Sequence, residues 1–184
     1  MNGAANVDDE ELMHLAKAGS QTAFATIVDK YSNPLLNFFL RKGVSYSDSQ
    51  DLAQRTFLRL WNYRGKYEPK AKFTTFLFMI ATQISIDYFR TEASRKNLEE
   101  NVKKHREIES GSSNGDKVDE RGEMVRKAVS ELSDGLRSVV ELGVFQEMKY
   151  SEVSEILNIP EGTVKSRMFT AVKKLKEILH GYGF

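Results

Sequence analysis

The stretch from Tyr150 to Leu175 constrains the fold of this chain more than any other. Val153, Ile156 and Leu157 recur at helical spacing. Ser151 can cap a helix that begins there, and Asn158 is a residue type suited to ending one. Pro160 then keeps the first helix from running on. Glu161-Gly162-Thr163 restarts the chain, with Gly162 or Thr163 near the cap, and Val164, Met168, Ala171, Val172 and Leu175 set a second inward stripe. Lys165, Ser166, Phe169 and Thr170 are left facing outward. Two short amphipathic helices about a tight turn are the layout of a helix-turn-helix, whose second helix enters a DNA major groove. An ordinary helical hairpin with a basic, solvated face fits the same pattern.

The rest of the chain is also helical in character. It has 184 residues, enough for one large or two small domains, with only three prolines and almost no strand-like alternation. The expected class is therefore all-α. The absence of cysteine excludes disulfides, thiol catalysis and zinc–cysteine sites, and fits a reducing cytoplasm. No signal peptide or apolar run of membrane-spanning length is present; the run Leu35–Leu40 is short and contains Asn37. A net charge of +1 does not describe a generic polycation, but residues 161–184 hold five Lys/Arg against two Asp/Glu, so the positive charge is local.

In chain order, residues 1–6 are expected to fray. Val7–Ala18 reads as a helix with Asp8, Asp9, Glu10 and Glu11 at its start, where the helix dipole favours them, and Gly19 stops it. Ser20 caps the next helix, which Pro34 should kink or restart before Leu35–Arg41. A third helix opens at Ser47 or Asp48. Its buried stripe is Leu52, Phe57, Leu60 and Trp61, and Asp51, Gln54, Arg55 and Arg59 form an outward polar strip. In the loop 63–72, Arg64, Lys66, Lys70 and Lys72 are interleaved with Tyr63 and Tyr67, and Phe73, Phe76 and Phe78 follow. Cations track phosphates and aromatic rings stack on unpaired bases, although a solvated loop over a core accounts for the same residues. A long helix then spans roughly 73–96, its core stripe built from Phe73, Leu77, Ile80 and Ile84.

Residues 97–122 are highly charged and include Ser110-Gly-Ser-Ser-Asn-Gly-Asp116, the composition of a flexible linker. The expected organisation is a domain at 1–96, a linker at 97–122 and a second domain at 123–184. Ser133 or Asp134 opens a helix with Leu136, Val139, Val140, Leu142 and Phe145 on its core side, and the tail 181–184 is expected to be unstructured. The sequence offers no phosphate-binding glycine loop and no nucleophile–base pair. His14, His105 and His180 are scattered, with no metal-ligand spacing. No catalytic residue, metal, cofactor or small-molecule substrate is expected, and the chain does not read as an enzyme.

Three stretches together resemble the small two-domain, extracytoplasmic-function class (group IV) of bacterial RNA polymerase sigma factors. They are Asp51–Trp61, Phe73–Arg90 and Tyr150–Leu175, the last including Gly162-Thr-Val-Lys-Ser-Arg167. The resemblance implies a role in directing core RNA polymerase to promoters and nucleating their melting. It implies that the helix carrying Asp51, Gln54, Arg55, Leu58 and Trp61 docks on the β′ clamp helices of core polymerase, with the β flap as a second contact. Arg64, Lys66, Tyr67, Lys70, Lys72, Phe73, Phe76 and Gln83 are then expected to bind the minus-ten element, including its melted non-template strand. Thr163, Lys165, Ser166, Arg167, Phe169 and Thr170 are expected at the minus-thirty-five element. An anti-sigma factor is a further partner implied by the family, and the expected location is the cytoplasm.

The chain departs from the family's usual residues at Arg55 (Glu), Phe76 (Trp), Gln83 (Asn) and Thr170 (Arg), and lacks the Pro common after the position of Leu132. From the residues alone, a free-standing regulator with a helix-turn-helix and a helical sensor domain stays open, as does, remotely, a nucleic-acid enzyme. The basic–aromatic loop at 63–73 separates the first from a sigma factor, because a sensor domain has no need of it.

Overall fold

In a computed structural model, residues 8–102 and 120–181 are described. The start at 1–6, most of the linker and the end of the tail lie outside them. All regular structure among the described residues is helical. The helices are α1 (Asp9–Lys17), α2 (Gln21–Arg41), α3 (Tyr46–Tyr63), α4 (Phe73–Val102), α5 (Glu120–Ser130), α6 (Asp134–Val140), α7 (Tyr150–Leu157) and α8 (Glu161–Gly181). A short 3₁₀ turn (Arg64–Lys66) follows α3, and a π turn (Glu141–Phe145) follows α6.

The first four helices share one core. Leu12, Met13 and Ala16 of α1, Ile27, Leu35, Phe38 and Phe39 of α2, Leu52 and Leu60 of α3, and Leu77 and Phe78 of α4 are buried together. Each side chain of this size contributes about 1.5–3 kcal/mol when fully buried. That explains the largest departure from the sequence expectation, at Pro34. α2 runs unbroken from Gln21 to Arg41 through it. Proline within a helix costs about 3 kcal/mol, but Ile27 and Tyr31 before it and Leu35, Phe38 and Phe39 after it face the same core. Keeping both halves in line buries all five.

Helix ends follow local chemistry, with small shifts. Ser20 caps α2, its Oγ accepting from the Ala23 amide at 3.2 Å. α3 opens earlier than expected: Ser45 is the cap, accepting from the Asp48 amide at 3.1 Å. Gly19 and Gly43 follow α1 and α2 at positive φ (102° and 86°), a conformation glycine adopts without steric cost. α4 continues to Val102, past the expected end near Lys96.

The second core is built from Val129 and Leu132 at the end of α5, Leu136, Val139 and Val140 of α6, Leu142 and Met148 beyond it, Val153 and Ile156 of α7, and Val164, Met168 and Ala171 of α8. Asn158 ends α7 in the left-handed conformation (φ 51°), as its residue type suggested. Two boundaries differ from expectation. α7 starts at Tyr150 with Lys149, not Ser151, at the cap position, and the Glu152 carboxylate accepts the Lys149 amide at 2.7 Å. α8 is opened by Pro160, whose carbonyl accepts the amides of Thr163 (2.8 Å) and Val164 (3.1 Å). Val172, expected on the inner stripe, is 41% exposed at its edge, while Ala171 is buried and Leu175 packs against the core.

The two cores meet. Arg41, the last residue of α2, donates from Nε and Nη2 to the two carboxylate oxygens of Glu141 at 2.6 and 2.7 Å. Arg137 of α6 donates to the Lys42 carbonyl (3.1 Å), and α7 lies against the start of α4.

Candidate nucleic-acid interface

The segment 64–72 is held at both ends by α1. Lys17 Nζ donates to the Tyr67 carbonyl at 2.8 Å, and Glu10 accepts the Phe73 amide at 2.8 Å, capping α4 from a distance. Phe73 heads α4, so this amide is one of those a helix leaves without an intrahelical partner. Lys17 and Glu10 were not anticipated from sequence. Their partners lie 50 and 63 residues away, and no local pattern announces such a contact.

The expected minus-ten residues divide into three groups. Tyr67 corrects the expectation of an outward, base-stacking ring, and Phe73 takes the core-stripe place expected of it rather than a base-stacking one. They are 2% and 1% exposed, Tyr67 packing on Phe73 and Phe76 and Phe73 on Tyr31. They support the loop from beneath, because the clamps from Lys17 and Glu10 draw the backbone onto the core. Burial, together with the nearby acids Glu10, Asp8 and Asp9, pushes the Tyr67 hydroxyl up to about 12. Arg64 is half-buried: its guanidinium lies over the Trp61 ring at 3.7 Å and donates to the Trp61 carbonyl.

Lys66, Lys70, Lys72 and Gln83 are exposed. Lys70 pairs with Glu68 at 3.0 Å, and Gln83 donates to Asp87 at 3.4 Å. Phe76 is half-buried and borders two clefts. One, of about 170 Å³, is lined by Lys66, Tyr67, Lys70 and Phe76, with Glu155 of α7. The other, of about 320 Å³, is lined by Arg59, Phe76, Met79, Gln83 and Ile86, with Ile156 of α7. Tyr63, 45% exposed, lies on both and belongs with this surface; its place in the aromatic–basic run was the signal for it.

On α3 the expected polymerase-facing strip is a surface. Asp51, Gln54 and Arg55 are exposed, Leu58 is 60% exposed, and Trp61 is half-buried edge-on to Phe24 at 4.8 Å. Asp51 and Arg55 approach only to 4.0 Å, a loose pair of little energetic weight.

On α8, Phe169 stands 76% exposed, with Lys165 and Ser166 beside it. Lys165 pairs with Glu161 at 2.9 Å. The hydroxyls of Ser166 and Thr170 turn back onto the carbonyls of Thr163 and Ser166, both at 3.0 Å. Thr163 is half-buried. Arg167 is half-buried, its guanidinium 3.4 Å from where a Cβ on Gly135 would sit, so it packs over the start of α6. Lys165, Ser166 and Phe169 are thus the groups presented outward.

Among the described residues no group of His, Asp and Glu is arranged to hold a metal ion, and no helix is long and apolar enough to cross a membrane.

Two family models match the chain: Sigma-70 region 2 over residues 27–95, and Sigma-70, region 4 over residues 122–175. Among curated proteins it is similar to the ECF RNA polymerase sigma factor SigW of Bacillus subtilis, 31% identical over 172 residues that cover 89% of this chain and 92% of that one. The ECF RNA polymerase sigma-E factor of Escherichia coli is 25% identical over 172 residues, covering 89% and 90%. Among solved structures it is similar in fold to CnrH in complex with the cytosolic domain of CnrY (TM-score 0.70, 24% identity, 94% of this chain and 97% of that one). It is likewise similar to RpoE in complex with the anti-sigma factor NepR from Bartonella quintana (TM-score 0.67, 22% identity, 85% and 96%). With the region 2 model falling on α2–α4, the region 4 model on α5–α8, and near-complete coverage of a relative above 30% identity, this chain belongs to the extracytoplasmic-function RNA polymerase sigma factors, which act in transcription initiation.

Proposed function

We propose that this sigma factor binds core RNA polymerase, recognises promoters at two elements and nucleates their melting, without covalent chemistry of its own. The two units correspond to about 1–96 and 123–184. The observation that carries this reading is the surface shared by the loop 64–72 and the first turns of α4. Lys66 and Lys70 line a cleft bordered by Tyr63 and Phe76, Gln83 lines the neighbouring cleft, and Lys72 stands exposed further along the loop. Unpaired bases seated in such clefts gain roughly 1–3 kcal/mol each by stacking, and the cations follow the phosphates. Tyr63 and Phe76 supply the rings, while Tyr67 and Phe73 shape the floor.

The strip on α3, centred on Leu58 and flanked by Asp51, Gln54, Arg55 and Trp61, is the contact with the β′ clamp helices. The α5–α8 unit contacts the β flap and enters the major groove at the minus-thirty-five element. There Lys165, Ser166 and Phe169 meet base edges and phosphates, and Arg167 and Thr163 brace the recognition helix. Thr170, its hydroxyl turned back onto the Ser166 carbonyl, adds no cation to that turn. The protein acts where polymerase is, in the cytoplasm. An anti-sigma factor is a further proposed partner, supported by fold neighbours solved with CnrY and NepR.

The reading is tested on fork DNA with an unpaired non-template overhang, mixed with core polymerase. The expected result is binding that requires both the chain and a particular overhang sequence. Binding indifferent to the chain across an overhang library would contradict it.

A further inference from the structure

A cavity of about 240 Å³ opens where the end of α2, the outer side of α4 and the start of α6 come together. Of the residues on the clefts beside the loop 64–72, only Ile86, at their edge, also reaches it. Two cations line it, Lys42 just beyond α2 and Arg137 of α6. Burial holds the Lys42 amine below the usual lysine range, Arg137 adding to the effect and Glu141 and Asp134 opposing it.

The hydrogen bonding of these cations is incomplete. Among the described residues, Lys42 Nζ donates to Ser138 Oγ alone, at 3.3 Å, and Ser138 keeps its own hydroxyl hydrogen to give. Arg137 directs Nη1 and Nη2 to the carbonyls of Lys42, Ser130 and Leu132. Its Nε is buried with no protein partner. Buried donors are normally satisfied, so this one calls for an acceptor. The nearby carboxylates do not supply it. Glu141 is held by Arg41 through two hydrogen bonds of 2.6 and 2.7 Å. Asp134 also lines the cavity and stands 3.6 Å from Arg137 Nη1, but its side chain is 95% exposed, so water screens it. The wall is also apolar in part: Ile86 and Phe89 of α4 line it and are 53% and 41% exposed.

We propose that this cavity binds a small amphipathic carboxylate, the two oxygens received by Lys42, Ser138 and Arg137 Nε and the hydrocarbon or aromatic part covering Ile86 and Phe89. The volume sets the size. Small-ligand pockets run from about 300 to 1,000 Å³, so one of about 240 Å³ takes an acid of one ring or a short chain rather than a nucleotide or a lipid. The donors set the head group. A carboxylate brings two oxygens and one charge, which these three groups satisfy, whereas free phosphate brings more oxygens and gains nothing from the apolar wall. Because the donors come from both units, a bound acid favours the chain with α6 seated against α2 and α4. The site stands independently of the function proposed above.

The test is calorimetric titration and thermal melting of the full-length chain with 3-phenylpropanoate, its neutral amide and inorganic phosphate. Expected is one site of about 1 mM or tighter for the acid, as suits so small a ligand. The amide and phosphate should bind about tenfold or more weakly, through loss of the charge-assisted bonds or of the apolar contact. The melting temperature should rise with the acid. Lys42→Gln and Phe89→Ala should each weaken the acid by about tenfold or more. No binding of the acid by the folded wild-type chain would overturn the site, and so would acid binding that either variant leaves unchanged. Amide or phosphate binding as tight as the acid would overturn the carboxylate assignment. Should the melting curve show that Lys42→Gln does not fold, Phe89→Ala, at a partly exposed position, decides the location: weakened binding supports the site and unchanged binding overturns it.

Discussion

The carboxylate of Glu10 accepts the backbone amide of Phe73 at 2.8 Å, joining the first turn of α1 to the first residue of α4. Its neighbour Asp9 accepts the Tyr31 hydroxyl at 2.6 Å and pairs with Lys30 at 2.7 Å. Burial and this acidic surrounding raise the Tyr31 hydroxyl above its ordinary value. The acids that open α1 therefore act across the fold as well as on their own helix. They fix where α4 begins, and with it the surface formed by Phe76 and Gln83.

Glu10→Ala should uncap α4 and cost about 1 kcal/mol, the usual loss for a helix cap. Chemical denaturation checks the stability. Permanganate reactivity of promoter thymines checks the consequence, which is weaker opening by the holoenzyme. The minus-thirty-five preference should not change, because α8 makes no contact with this cap.

At Tyr67 the hydroxyl is buried without a protein partner, and the ring is core. Tyr67→Phe should leave stability within about 1 kcal/mol, since it removes a buried polar group that has no bond to lose. Promoter opening should persist. Tyr67→Ala should cost about 3–5 kcal/mol through the cavity it leaves. A melting series on the two variants separates this supporting role from direct base stacking, in which Tyr67→Ala would impair opening at unchanged stability.

Phe169 and Lys165 stand clear of the core, so alanine at either should change stability by no more than about 0.5 kcal/mol. Their effect belongs to DNA. Phe169→Ala should relax sequence preference at the upstream element. Lys165→Ala should weaken binding and reduce the salt slope by about one if it meets a phosphate. Holoenzyme binding to a randomised upstream library, repeated at several salt concentrations, reads both.

Leu58 tests the polymerase strip. Leu58→Asp should leave the melting temperature nearly unchanged, because the side chain is 60% exposed. It should reduce affinity for core polymerase by about tenfold or more, as a central contact residue costs above roughly 1.4 kcal/mol when spoiled. Titration of labelled chain with core polymerase measures it.

Much of this architecture is local and was legible. Asn158, suited to a left-handed helix end, and Pro160, which cannot continue a helix, mark the turn of the helix-turn-helix. The stripes of α3 and α4 are periodic enough to place Leu52, Leu60, Leu77 and Ile84 inside. What escaped is what depends on distant partners. Pro34 looked like a break because its cost is local while its compensation comes from a shared core. Arg167, expected at the minus-thirty-five element, packs its guanidinium over Gly135, a neighbour that no local pattern announces. Tyr67 read as an exposed ring, and Phe73 as both a core and a base-contacting one, because nothing near them in sequence shows the clamps from Lys17 and Glu10. The Arg41–Glu141 pair, 100 residues apart, has no sequence signature at all.

Run-off transcription by core polymerase reconstituted with this chain, over a library of upstream and minus-ten sequences, tests the central claim most directly. The account predicts transcripts that require the chain, start at a restricted set of promoters, and lose upstream selectivity with Phe169→Ala. Failure of the chain to bind core polymerase, with no initiation at any promoter in the library, would contradict it.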